Sequence, residues 1–118
     1  MDILIPALAA LVVFSLYKKI YYRGRKKIGK EEAKKKIREE KAVLLDVRTA
    51  KEYQAGHIKG SKLMSLHTIK SVAPKKISRK DQPVIVYCES GSRSMKAVKI
   101  LSSLGYTDVY DFGRRANW

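Results

Sequence analysis

Pro83-Val84-Ile85-Val86-Tyr87-Cys88-Glu89-Ser90-Gly91-Ser92-Arg93-Ser94-Met95-Lys96-Ala97-Val98-Lys99-Ile100-Leu101 decides the fold. A continuous apolar run, Pro83 to Tyr87, has the length of a strand buried on both faces. Small polar residues follow, and then a helix-like stretch. Cys88, the only cysteine of the chain, falls where strand becomes loop. A thiol there, beside an arginine and ahead of a helix N-terminus, has what it needs to become a stable thiolate, the reactive form of cysteine.

The neighbours of Cys88 suit an anion. Gly91 permits positive φ. Ser90, Gly91 and Ser92 let successive N–H groups turn inward as a nest. The helix beginning near Arg93 or Ser94 adds its positive end. These groups would steady a sulfur anion on Cys88 or an anionic group attached to it. The bland alternative is an ordinary core cysteine. The polar Glu89–Ser94 run is not core-like, and it lies where a ligand site is expected.

Ala42-Val43-Leu44-Leu45, bounded by Asp46, reads as a second buried strand, and Val109-Tyr110 as a third, short one. A helix is expected over Lys30 to Glu40, with Gly29 as its cap and Glu31 and Glu32 in its first turn. The pairs Glu31–Lys35 and Glu32–Lys36 have the favourable i,i+4 order, and Ala33 and Ile37 mark its apolar stripe. A second helix runs from about Ser94 to Leu104, with Val98, Leu101 and Leu104 toward the sheet and Gly105 as C-cap. Ser71 to Gln82, with Pro74 and several lysines, reads as a surface connection. Strands alternating with helices imply right-handed crossovers and a parallel sheet. Ligands of such sheets bind beyond the carboxyl ends of the strands, where Cys88 falls.

The chain has 118 residues, 45% of them hydrophobic, and a formal net charge of +15. That is room for one small domain and an appendage. A single cysteine forms no internal disulfide, so nothing suggests an oxidising compartment. The uncharged run Ile3 to Tyr17, extended through Tyr22, reads as a transmembrane anchor over residues 1–22. A signal peptide and a buried core helix are the alternatives. Asp2 ahead of the run and the positive charge behind it are the reverse of a secretory signal. A basic juxtamembrane linker, residues 23–29, and the soluble domain, 30–118, would follow. Lys18, Lys19, Arg23, Arg25, Lys26 and Lys27 place the domain on the cytoplasmic side of a single-pass helix, and explain much of the net charge by attraction to anionic lipid. No aromatic-interleaved basic face points to nucleic acid.

Three patches in this order and spacing resemble the rhodanese (sulfurtransferase) homology domain in its single-domain form. They are Leu44-Leu45-Asp46-Val47-Arg48 with Glu52-Tyr53 and Gly56-His57-Ile58-Lys59-Gly60-Ser61; Val84 to Cys88 with Gly91, Arg93 and Ser94; and Leu104-Gly105-Tyr106, Val109-Tyr110, Gly113 and Trp118. The resemblance covers roughly Ile28 to Trp118. It implies an α/β fold, a small parallel sheet flanked by helices, here preceded by the anchor. It implies that Cys88 takes a sulfane sulfur from a small anionic donor such as thiosulfate and passes it to a thiophilic acceptor. Glu89, Ser90, Gly91, Ser92, Arg93 and Ser94 would cradle the persulfide, with Arg93 holding the donor or setting the loop shape.

No metal or organic cofactor is required by that chemistry. Without a second cysteine, the sulfur must leave to an external thiol or an acceptor protein. Four residues separate Cys88 from Arg93, one fewer than in the related phosphatases, so the pocket should suit sulfur. A phosphatase or arsenate reductase remains the alternative, as does a non-catalytic binding module at the membrane. Asp46 and Arg48 are supporting candidates, better read with Glu52 as structural ion pairs than as acids and bases. His57 is expected to make structural hydrogen bonds on a turn. His67 has no supporting pattern, and neither histidine has a second ligand at metal spacing. The family commonly continues beyond the position of Trp118 into a short helix.

Overall fold

The computed structural model describes residues 4–21 and 26–118, with side chains of the first helix described for residues 6–17. Helix α1, Leu4–Tyr21, leads into β1 (Lys26–Lys27), α2 (Lys30–Glu40), β2 (Val43–Asp46), α3 (Ala50–Ala55) and β3 (Lys62–Leu63). Then come α4 (Ile69–Lys76), β4 (Val84–Cys88), α5 (Ser92–Ser103), β5 (Val109–Arg114) and a 3-10 turn, Arg115–Asn117. The five strands form one sheet in the order β1-β5-β4-β2-β3, every neighbouring pair parallel. The parallel sheet with flanking helices is the one expected.

Strand β4 lies at the centre of the sheet, and each of its five residues is fully buried. The two-residue pleat sorts them. Val84, Val86 and Cys88 join Leu45, Val98, Leu101, Ile69 and Ala73 in the core under α4 and α5. Ile85 and Tyr87 join Ala33, Leu44 and Phe112 in a second core under α2, which Ile37 and Trp118 flank. The nucleophile candidate therefore hangs on the α5 face at the carboxyl end of the central strand.

Several local readings need amendment. Ser71–Gln82 is not only a connection, because Ile69–Lys76 is helical with Pro74 inside it. Pro74 lacks an N–H, but burial of Ile69 and Ala73 holds this short helix in place. On α2, Lys36 pairs with Glu40 at 3.1 Å. Lys26–Lys27, within the stretch read as a linker, is an edge strand on β5. The β5 strand is longer than the dipeptide expected and carries a bulge opposite Val86/Tyr87.

The expected transmembrane span over 1–22 is not supported: among the described residues no helix is long and apolar enough to cross a membrane. The 18 residues of α1 rise about 27 Å, against a hydrocarbon core of about 30 Å, and Lys18 and Lys19 fall in the last turn. Residues 1–3 and 22–25, which include Asp2, Tyr22, Arg23 and Arg25 of that reading, lie outside the described residues. What α1 does show is a run of exposed apolar side chains, from Leu8 to Tyr17.

Candidate active site

The loop after β4 closes around the sulfur of Cys88. Its Sγ accepts hydrogen bonds from the backbone N–H of Gly91 at 3.0 Å and of Ser94 at 3.3 Å. Gly91 makes this possible, since at φ +98° it occupies the left-handed region that a side chain resists. Buried Ser94 secures the turn from inside, its hydroxyl donating to the Gly91 carbonyl at 3.0 Å. Helix α5 starts at Ser92, so its positive end also faces the sulfur. Cys88, Gly91 and Ser94 are thus brought together. Ser90 and Ser92 are mutually within 3.3 Å at their hydroxyls and do not bond to the sulfur.

Both flanks of the loop are clamped by ion pairs. On one side Glu89 receives Arg48 Nη1 at 3.2 Å and Arg115 Nε at 3.1 Å. The Glu89 carboxyl is held below its ordinary range, first by the hydrogen bond from Arg115. On the other side Arg93 grips Glu52 with two bonds, at 2.6 and 3.0 Å. Of the two roles expected for Arg93, this geometry carries the shaping of the loop, because the guanidinium fork is already occupied by a carboxylate.

Beneath the loop lies a buried polar network. Arg48 Nη2 reaches Asp46 Oδ2 at 2.7 Å and the Gly56 carbonyl at 2.6 Å. Arg48 Nε reaches both Asp46 oxygens, at 3.0 and 3.1 Å. The Tyr87 hydroxyl donates to Asp46 Oδ2 at 2.7 Å and accepts from the Ile58 N–H at 3.1 Å. Arg48 therefore ties the end of β2 to the end of α3 and to Glu89. His57 behaves as expected. Its Nδ1 lies 2.8 Å from the Tyr53 carbonyl, and its ring stacks on Tyr53. His67 lines a cleft with Arg93 and Arg48 but takes part in no cluster of metal-binding groups among the described residues.

Arg115 is the functional neighbour that the sequence does not reveal, and Glu52, read there as part of structural ion pairs, gains Arg93 as its partner only in the fold. Glu52 carried one local signal: Thr49-x-x-Glu52 is a capping box, and both of its reciprocal bonds form at the start of α3. That cap aims Glu52 at Arg93. Arg93 brings the Glu52 carboxyl from its ordinary 4.5 down to about 2, helped by the Thr49 N–H. A depressed carboxyl stabilises the fold fully above its unfolded value, and that contribution disappears as the pH falls from about 4.5 toward 2. Glu52→Gln is expected to cost about 1 kcal/mol at neutral pH, a figure discounted for partial exposure. Urea titrations from pH 7 to pH 2 check this. The gap between the two proteins should close toward pH 2, and a gap independent of pH would contradict the pairing.

Comparison with known proteins finds a family and several relatives for this chain. The family model for the rhodanese-like domain matches residues 29–113. A thiosulfate sulfurtransferase GlpE of Pseudomonas savastanoi pv. phaseolicola is 38% identical over 85 residues, 72% of this chain and 77% of that protein. The thiosulfate sulfurtransferase PspE of Escherichia coli is 36% identical over 69 residues, 58% of this chain and 66% of that protein. Among solved structures, a rhodanese with anions from E. coli superposes with a TM-score of 0.63 at 32% identity, covering 65% of this chain and 91% of that one.

Proposed function

This chain belongs to the rhodanese-like domain family, and on that premise we propose that it is a sulfurtransferase working through a persulfide on Cys88. The carrying observation is the pair of backbone N–H groups aimed at Sγ from Gly91 and Ser94. Donors fixed in that position stabilise negative charge on sulfur without reorganising during reaction. In the first step the Cys88 thiolate attacks the outer sulfur of thiosulfate. The S–S bond of the donor breaks, and sulfite leaves with the bonding electron pair. The new outer sulfur carries the negative charge on Cys88. In the second step a nucleophile, cyanide or an external thiolate, takes that outer sulfur and returns Cys88 as thiolate. Covalent catalysis of this kind splits one transfer into two displacements. No other cysteine exists in the chain to resolve the persulfide, so the acceptor is a separate molecule.

Turnover with thiosulfate and cyanide tests this reading. Thiocyanate should form, and an aryl phosphate should not be hydrolysed. Phosphate release without thiocyanate would replace the reading by a phosphatase, and neither product would leave a binding module.

The proposal includes attachment to a membrane through the N-terminal helix, with the domain on the cytoplasmic side. Attachment is supported by the exposed apolar surface of α1, Leu8, Leu11, Val12, Val13, Phe14 and Leu16, each more than half exposed, and the side by the lysines and arginines that follow it in the sequence. A surface of that kind calls for a nonaqueous neighbour. Deleting residues 1–22 should move the protein from the membrane fraction to the supernatant. Equal partitioning of both forms would contradict the attachment.

A further inference from the structure

Arginines crowd the rim of the loop, and all but one are committed. Arg48 is held by Asp46 and Glu89, Arg93 by Glu52, and Arg115 by Glu89. Arg114 makes no side-chain hydrogen bond or ion pair among the described residues. It is exposed, yet it is not remote. In the parallel ladder Arg114 is the direct partner of Cys88. Its Cγ is 3.8 Å from where a Cβ on Gly91 would sit. The β5 bulge produces this register: Val86 faces Asp111 but Tyr87 faces Gly113, so one residue is skipped and Arg114 falls opposite the nucleophile.

A cavity of about 400 Å³ lies on this side of the loop, lined by Ser90, Gly91, Met95 and Arg114 among others. Its charged residues are Lys27, Asp111 and Arg114, two cations against one carboxylate. The thiol itself is fully buried, so a donor must reach it past the loop. The two flanks are clamped by ion pairs at Glu89 and Arg93, whereas Ser90–Ser92 between them carries no ion pair among the described residues and is held by the main-chain bonds of Gly91 and a hydroxyl contact. This unclamped part of the loop is the one that lines the cavity beside Arg114.

We propose that Arg114 is the donor-selecting residue of this site, binding the oxyanion end of a small anionic sulfur donor beside Gly91. A guanidinium with its donors unoccupied matches a sulfonate better than one locked to a carboxylate. The proposal rests on the sulfurtransferase reading for the identity of the donor, but its test has an arm that does not.

Cys88 is alkylated with iodoacetate, an anion, and with iodoacetamide, its neutral counterpart, and adduct mass is followed with time. Thiosulfate kinetics are run in parallel. Arg114→Gln should lower the iodoacetate-to-iodoacetamide rate ratio about three- to tenfold, with the iodoacetamide rate unchanged. Its KM for thiosulfate should rise by a similar factor with kcat preserved, and Arg114→Lys should recover part of the loss. Arg79→Gln removes the same charge before the opposite end of β4 and should alter neither ratio nor KM. An unchanged ratio and KM in Arg114→Gln, or equal effects from Arg79→Gln, would overturn the proposal. If the ratio falls but no thiosulfate turnover exists in the wild type, the anion subsite stands and the sulfur-transfer reading fails.

Discussion

Arg48→Met is expected to lower the unfolding free energy by about 3–5 kcal/mol, the usual cost of removing one member of a buried ion pair. Asp46 is fully buried and Arg48 is 3% exposed. Without the guanidinium, Asp46 loses three side-chain hydrogen bonds and keeps the Tyr87 hydroxyl and the Arg48 N–H. The Gly56 carbonyl and Glu89 lose a donor too. For a small domain with about 5–15 kcal/mol of total stability, that is a large share. Arg48→Lys should restore little, because one ammonium cannot reproduce the planar fork that spans Asp46 and Gly56. Asp46→Asn combined with Arg48→Met should be milder than Arg48→Met alone, since no unpaired buried charge remains. Urea unfolding of the three variants checks this. A loss below about 1 kcal/mol in Arg48→Met would mean that the network is not structural.

Cys88→Ser is expected to reduce thiocyanate formation to the rate without protein while leaving the fold intact. The serine hydroxyl fits the same small space and can accept the Gly91 and Ser94 N–H groups. It is not ionised at neutral pH and forms no persulfide, so the covalent intermediate cannot arise. An unchanged unfolding transition with lost turnover separates chemistry from structure. Residual turnover in Cys88→Ser would place the sulfur elsewhere.

The legibility of this molecule follows how local each feature is. The β4–loop–α5 segment is contiguous, so its strand and Gly91 turn could be read from neighbours alone, and its helix start to within two residues of Ser92. Gly29 before Lys30–Glu40 and the pairing of Arg48 at the end of β2 are local in the same way. Strands β1 and β3 are two residues each, and their extended state is imposed by β5 and β2 rather than by Lys26-Lys27 or Lys62-Leu63. Helix α4 was hidden by Pro74 and its lysines, since only tertiary burial of Ile69 and Ala73 reveals it. The clamp between Glu52 and Arg93 joins residues 41 apart, and the bulge that sets Arg114 beside Cys88 exists only once β5 pairs with β4. Each of these depends on the assembled sheet, which no window of sequence contains.

The most direct test of the site is the intact mass of the protein after incubation with thiosulfate. The wild type should gain one sulfur atom, lose it again on addition of cyanide, and show neither change as Cys88→Ser. A wild-type mass that does not move, with Cys88 still free to alkylate, would contradict the persulfide on which the proposed function stands.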